Sequence, residues 1–211
     1  MKLIAFDLDG TILENWGSWT AIHEHFGVET DERNSLNDYT AGKIDIQELM
    51  NRNINSWIKK AGKLHIDQVK NILVKNLKIR PEAYNVIENL RKNGFHVAII
   101  SSGIDIIAEE VARRLSIPYV ISNGLETDEN GYLTGKGIHR VDLFNKDEIL
   151  INLANQLNID LSNVVAVGDS AWDKNFLNAA GTGIMIGDDT ELSKVAKHKI
   201  HNLNEILEIV Q

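Results

Sequence analysis

Apolar residues fall along this chain in two rhythms. Short runs rich in branched side chains recur at 3–6 (LIAF), 96–100 (HVAII) and 164–167 (VVAV), with further candidates at 183–186 and near Ile200. Runs of that length predict strands buried on both faces of a parallel sheet. Between them lie longer stretches with apolar residues every three or four positions, the spacing of an amphipathic helix. These are PEAYNVIENLRKNG, with Pro81 in its first turn and Gly94 at its stop, then IDIIAEEVARRLS, KDEILINLANQLN and the terminal LNEILEIVQ. Strands alternating with helices predict an α/β fold, a doubly wound parallel sheet.

Two segments interrupt the alternation. From 14 to 78 no strand pattern is convincing, and the helical patterns WGSWTAIHEHFG, DIQELMNRNINSWIKKAG and LHIDQVKNILVKNL follow one another. This predicts a small helical domain, 14–78, inserted directly after the first strand of a core formed by 1–13 and 79–211. The other interruption is SNGLETDENGYLTGKGIHRV, where Asn130-Gly131 is a hairpin turn signal.

Composition narrows the function classes. The 211 residues suffice for one large domain or a domain with a small insert, and 43% hydrophobic with 25% charged is ordinary for a globular protein. No apolar run reaches the roughly 18 residues of a membrane span, and the first residues lack a signal-peptide pattern, so the expected location is the cytoplasm. A net charge of −8 argues against nucleic acid or an anionic membrane as partner. Without cysteine there is no disulfide or thiolate chemistry. The oligomeric state is not legible.

The chemistry-bearing residues sit at strand ends. The first strand stops on Asp7 and Asp9, which in an extended segment project to the same side, at the sheet edge where open α/β folds place ligands. Two such carboxylates repel unless a cation neutralises them or one keeps its proton; a solvated Asx-turn is the plain alternative. VVAVGDSAWD repeats the design with Asp169 and, in the first turn of a following helix, Asp173. Asp7, Asp169 and Asp173 would form an all-oxygen cluster suited to Mg²⁺ rather than zinc. HVAIISSG ends on Ser101 and Ser102 before a helix near Asp105, either a phosphate seat or a plain N-cap. Lys146 opens KDEIL, where a cation opposes the helix dipole and gains nothing locally.

In that order, DLDGT, SSG, Lys146 and GDSAWD resemble the four motifs of the haloacid dehalogenase superfamily of phosphotransferases, and the resemblance spans nearly the whole chain. The insert and the hairpin resemble the phosphoserine phosphatase-like branch, in which the insert is a cap. The resemblance implies an Mg²⁺-dependent phosphatase acting on a small phosphorylated metabolite. Asp7 would be the nucleophile, forming an aspartyl-phosphate, and Asp9 the general acid and base. Asp7, Asp169 and the main-chain carbonyl of Asp9 would hold the metal, supported by Asp173. Ser101, Ser102 and Lys146 would hold the phosphoryl oxygens. Relatives that are pumps or displace halide lack an aspartate at the Asp9 position.

The sequence departs from that branch where substrate is chosen. The glutamate expected to meet the ammonium of serine falls on Trp16, and the arginine expected to meet its carboxylate falls on Asn53, with Arg52 beside it. Trp172 stands where the fourth motif usually has asparagine. Losing both charge partners disfavours phosphoserine, and Trp16, Arg52, Asn53 and Trp172 are the candidate pocket residues. Trp19 and Trp57 read as core of the insert. His23 and His25 lie on different sides of a helix and form no ligand pair. Two other readings compete: a phosphomutase of the same superfamily, and a non-catalytic module that binds Mg²⁺ and phosphorylated ligands.

Overall fold

Alternation along β1 (Lys2–Phe6) decides the architecture. Ile4 and Phe6 are buried in one apolar cluster and Leu3 and Ala5 in another. Successive side chains of a strand point to opposite faces, so this strand is covered on both sides. The same division recurs in β2 (Phe95–Ile104), with Val97 and Ile99 against Ala98 and Ile100. In β5 (Val164–Gly168) it separates Val165 and Val167 from Val164 and Ala166. The computed structural model describes residues 1–14, 17–75 and 77–210.

With β3 (Tyr119–Thr127), β4 (Leu133–Ile138), β6 (Thr182–Ile186) and β7 (His198–Ile200), the sheet has seven strands in the order β4-β3-β2-β1-β5-β6-β7. All neighbours run parallel except β3 and β4. Ala5 stands opposite both Ala98 and Ala166, and the Asp7 amide donates to the Val167 carbonyl at 2.9 Å. That register brings the carboxyl ends of β1 and β5 side by side.

Four helices separate β1 from the rest of the core: α1 (Ser18–Phe26), α2 (Glu29–Thr40), α3 (Ile46–Ala61) and α4 (Ile66–Lys75). The chain leaves and returns at an antiparallel bridge between Leu13 and Ile79. Ile54, Trp57, Val69 and Leu73 of the insert belong to the same apolar cluster as Ile4 and Phe6, while Ile46, Leu49, Met50 and Tyr39 form a third. Behind the insert come α5 (Pro81–Lys92), α6 (Asp105–Leu115), α7 (Lys146–Gln156), α8 (Lys174–Ala179) and α9 (Ile206–Ile209).

Three details differ from the sequence expectation. Helix α2 has no counterpart in it, because ETDERNSLNDYT carries too few apolar residues to show a helical stripe. Strand β2 runs past the two serines to Ile104. The terminal stretch is a 3₁₀ turn, Leu203–Glu205, followed by the four residues of α9 rather than one helix.

The hairpin has a mechanical part. Its outer strand β4 would expose an unpaired edge, but side chains of α3 cap it. Gln47 Nε2 donates to the Gly137 carbonyl (2.9 Å), Asn51 Oδ1 accepts from the Gly137 amide (3.0 Å), and Asn55 Nδ2 donates to the Gly135 carbonyl (3.0 Å). A Cβ at Gly137 would collide with the Met50 side chain, so glycine is what lets α3 lie this close. Sheet and insert are thereby braced together above the strand ends.

Candidate active site

At the carboxyl end of β1 the chain turns through Leu8–Ile12, with Gly10 at φ +81°. A Cβ on Gly10 would run into the Asp169 carboxylate, so both conformation and space demand glycine. Arg80 holds this turn by donating to the carbonyls of Thr11 (2.9 Å) and Gly10 (3.0 Å). Thr11 Oγ1 in turn donates to Asp169 Oδ1 at 3.2 Å.

Asp7, Asp169 and Asp173 meet here, with one carboxylate oxygen from each lying within 4.8 Å of the others. Asp173 closes a 3₁₀ turn, Ala171–Asp173, in a reciprocal capping box with Ser170, and accepts from the Asp169 amide at 3.1 Å. Lys146, the first residue of α7, is almost wholly buried and donates to Asp7 Oδ1 and Asp173 Oδ1, each at 2.7 Å.

Burial pushes the Asp7 carboxyl up to about 6, against the lowering pull of Lys146. Burial, then the charges of Asp7 and Asp173, pushes Asp169 up to about 8. For Lys146 burial acts downward, but the carboxylates of Asp173 and Asp7 outweigh it and raise its pKa above the ordinary lysine value. One ammonium thus faces three carboxylates, and the site is short of positive charge. An all-oxygen donor set with this deficit fits Mg²⁺.

Asp9 turns away from that cluster. Its Oδ2 accepts from the amide and the hydroxyl of Ser18, both at 3.2 Å, while its buried Oδ1 has no hydrogen-bond partner. Burial first, and the charge of Asp7 second, push its carboxyl up to about 7. The Asp9 side chain is therefore not among the three carboxylates of that cluster, although Asp7 is near enough for its charge to act on it.

Ser101 is buried, and its hydroxyl accepts from the Gly103 amide at 3.0 Å. The Ser102 carbonyl accepts from Trp19 Nε1 (3.1 Å) and Asn123 Nδ2 (2.9 Å). A Cβ at Gly103 would stand 2.6 Å from Ser18 Oγ and 2.9 Å from Asp9 Oδ2, so any larger third residue of SSG would displace the side chains of Ser18 and Asp9.

Above Asp9 lies a cavity of about 240 Å³ between insert and core, lined among others by Ser18, Trp19, Glu32, Met50, Asn53, Ser102 and Trp172. Asn53 and Trp172 are thus where a leaving group would lie. Arg52 is not: two residues after Met50 and one before Asn53 on α3, it points outward and pairs with Glu48 (2.9 Å) and Asp38 (3.0 Å). That geometry keeps its guanidinium off the cavity wall, contrary to the sequence expectation. Trp16 lies outside the described residues. Trp57 is core, as expected, whereas Trp19 leans on it at 5.4 Å between ring centroids and also borders the cavity. Trp172 packs on Phe144, and Phe144 on Tyr39 of α2, so an aromatic row crosses from core to insert.

Sequence reasoning missed Ser18, Glu32, Arg80 and Asn123. Ser18 and Glu32 are brought in by helix packing, and no local pattern marks them. Asn123 satisfies the Ser102 and Val141 carbonyls and accepts from the amides of Arg140 and Val141, pairings that only the folded chain brings together.

The haloacid dehalogenase-like hydrolase family model matches residues 1–181. Phosphoserine phosphatase of Lactococcus lactis subsp. lactis is 31% identical, over 99% of this chain and 94% of its own length. Phosphoserine phosphatase of Methanocaldococcus jannaschii is 30% identical, over 100% and 98%. A solved phospho-aspartyl intermediate analogue of phosphoserine phosphatase superposes with a TM-score of 0.82 at 29% identity, covering 100% of this chain and 99% of that one. Among the described residues no helix is long and apolar enough to cross a membrane.

Proposed function

The chain belongs to the haloacid dehalogenase-like hydrolases and is a phosphoric monoester hydrolase, and we propose that it cleaves a small phosphomonoester through an aspartyl-phosphate on Asp7. The observation that carries this reading is the convergence of Asp7, Asp169, Asp173 and Lys146 on one buried point, with Asp9 facing a cavity beside it.

Asp7 attacks phosphorus, the bond from phosphorus to the ester oxygen breaks, and Asp9 gives its proton to the departing alkoxide. Water then attacks the acyl phosphate, Asp9 takes the proton back, and inorganic phosphate leaves with Asp7 restored. A carboxyl pushed up to about 7 is poised for both duties near neutrality. Lys146 orients the Asp7 carboxylate and, with Ser101, Ser102 and neighbouring amides, balances the phosphoryl oxygens. Asp7, Asp169 and the Asp9 carbonyl would hold Mg²⁺, steadied by Asp173, and the ion when bound screens an anionic nucleophile from an anionic ester.

The names of the relatives favour phosphoserine. The cavity argues the other way, since its described lining holds Asp9 and Glu32 but no lysine or arginine to receive a carboxylate. We therefore read phosphoserine as a poor substrate here. The test is phosphate release with and without Mg²⁺ across phosphoserine, sugar phosphates, nucleotides and aromatic and alkyl esters, wild type beside Asp7→Asn. Mg²⁺-dependent turnover that Asp7→Asn abolishes, with its fold intact by circular dichroism, supports the reading. Activity surviving in the variant would place the nucleophile elsewhere.

A further inference from the structure

The cavity over Asp9 carries an unbalanced negative wall. Glu32, on helix α2, keeps only 20% of its side chain exposed and borders this space. Thr20 Oγ1 donates to its Oε1 at 2.8 Å. The nearest base, His23 Nδ1, is 3.8 Å from the same oxygen but lies 2.8 Å from the Trp19 carbonyl, which can only accept. Burial lowers the His23 pKa, so the ring is neutral near pH 7 and leaves the Glu32 charge unopposed. No lysine or arginine among the described residues lines the cavity.

The same cavity is lined by two tryptophans, Trp19 and Trp172, and by Met50. Aromatic faces attract cations, most of all when water is excluded, and indole does so best. A carboxylate and indoles around a small half-enclosed space are the chemistry of an ammonium site. They are equally a barrier to anions, because a carboxylate on the leaving group would face Asp9 and Glu32 with nothing to pair it. One helical turn ties this subsite to the reaction centre: Ser18 holds Asp9, and two residues on Thr20 holds Glu32.

We propose that Glu32 is the specificity residue for the leaving group, and that the substrate is the phosphate ester of an amino alcohol that carries an ammonium and no carboxylate. The proposal rests on the phosphatase reading above and narrows it to a substrate class. Release of the alcohol follows the steps already given, with the ammonium held by Glu32 between water-excluding indoles.

The experiment compares kcat/KM for phosphoethanolamine, phosphocholine, propyl phosphate and phosphoserine, in wild type and in Glu32→Gln. The expected result is a preference of tenfold or more for an ammonium ester over propyl phosphate, with phosphoserine below both. Glu32→Gln should raise KM for the ammonium ester at least tenfold and cost less on propyl phosphate. Preference for phosphocholine would assign more of the recognition to the indoles, and preference for phosphoethanolamine more to hydrogen bonding with Glu32. Propyl phosphate or phosphoserine on top, or a Glu32→Gln profile matching wild type, overturns the proposal. In parallel, calorimetry on Asp7→Asn measures binding of the same esters without turnover. Ammonium esters that bind tenfold tighter than propyl phosphate but are never hydrolysed by wild type would retain Glu32's role and sink the phosphatase reading instead. Equal binding of all esters would sink the role of Glu32 whatever the turnover.

Discussion

Lys146 Nζ lies 2.7 Å from both Asp7 Oδ1 and Asp173 Oδ1, a single buried cation spanning the nucleophile position and the second acidic loop. Because α7 begins at Lys146, the side chain enters the site from the first turn of a rigid element, which fixes where the Asp7 carboxylate points.

Replacing that cation by an isosteric apolar chain tests its two duties together. Lys146→Met leaves two buried carboxylates without their partner, and a broken buried pair costs about 3–5 kcal/mol. The loss of stability, read from urea midpoints, should be largest at pH 8 and shrink toward pH 5 as Asp7 takes up a proton. Turnover should fall by roughly a hundredfold or more, the scale seen when one charge-stabilising donor is removed. A variant equally stable at both pH values would show that Lys146 does not carry charge balance.

Metal and pH are linked in the same site. The folded-state values for Asp7, Asp9 and Asp169 lie at about 6, 7 and 8, all above the ordinary 3.8. A carboxyl whose pKa is raised on folding binds more protons in the native state, so stability falls as pH rises from about 4 through those values. The metal-free protein should therefore melt lower at pH 8 than at pH 6. Mg²⁺ competes with those protons, so its upward shift of Tm should be larger at pH 8. Thermal melts with EDTA or Mg²⁺ at both pH values decide it, and an equal shift at the two would count against the carboxylate cluster as the metal site.

How far the sequence could be read depended on whether a signal was local. The strand ends were legible because short apolar runs stop on Asp7 and on Gly168-Asp169, and Lys146 because a cation at a helix start is locally unrewarded. The direction of Asp9 was not legible. It hinges on the turn after β1 and on Ser18, which reaches it only once α1 has packed above the sheet. Arg52 and Asn53 illustrate the same limit: adjacent in sequence, they are sent by helical geometry to solvent and to the cavity respectively. Helix α2, and Glu32 with it, lacked the apolar stripe that a periodicity reading requires.

Ser18 joins the insert to the chemistry. Its amide and hydroxyl both donate to Asp9 Oδ2, and both bonds favour the ionised carboxyl. Ser18→Ala removes the hydroxyl bond, so the Asp9 pKa should rise further and the alkaline limb of the pH–rate profile should move upward. A loss of about tenfold in kcat is expected from the freed rotamer, a part of the roughly hundredfold or more that a positioned general acid contributes. An unchanged limb with lower kcat would mean that Ser18 serves packing alone, since its hydroxyl also accepts from the Ile104 amide at 3.0 Å.

Asn53 offers the sharpest test of how the cavity selects. It is buried and borders the space where a leaving group would sit, one helical position from the outward-facing Arg52. Asn53→Arg places a guanidinium there, able to receive a carboxylate in a fork and to neutralise Glu32 at once. The added bulk in a packed wall should cost about 1–3 kcal/mol of stability, checked by urea denaturation. Phosphoserine hydrolysis should rise about tenfold in kcat/KM while any preference for ammonium esters falls, and Trp16→Glu in the same chain, which restores the glutamate that the resemblance to the phosphoserine branch puts at this position, should raise phosphoserine turnover further. If the folded double variant gains nothing on phosphoserine, then position 53 does not face the leaving group. The charge argument drawn from this cavity would fall with it, since the same lining supports both.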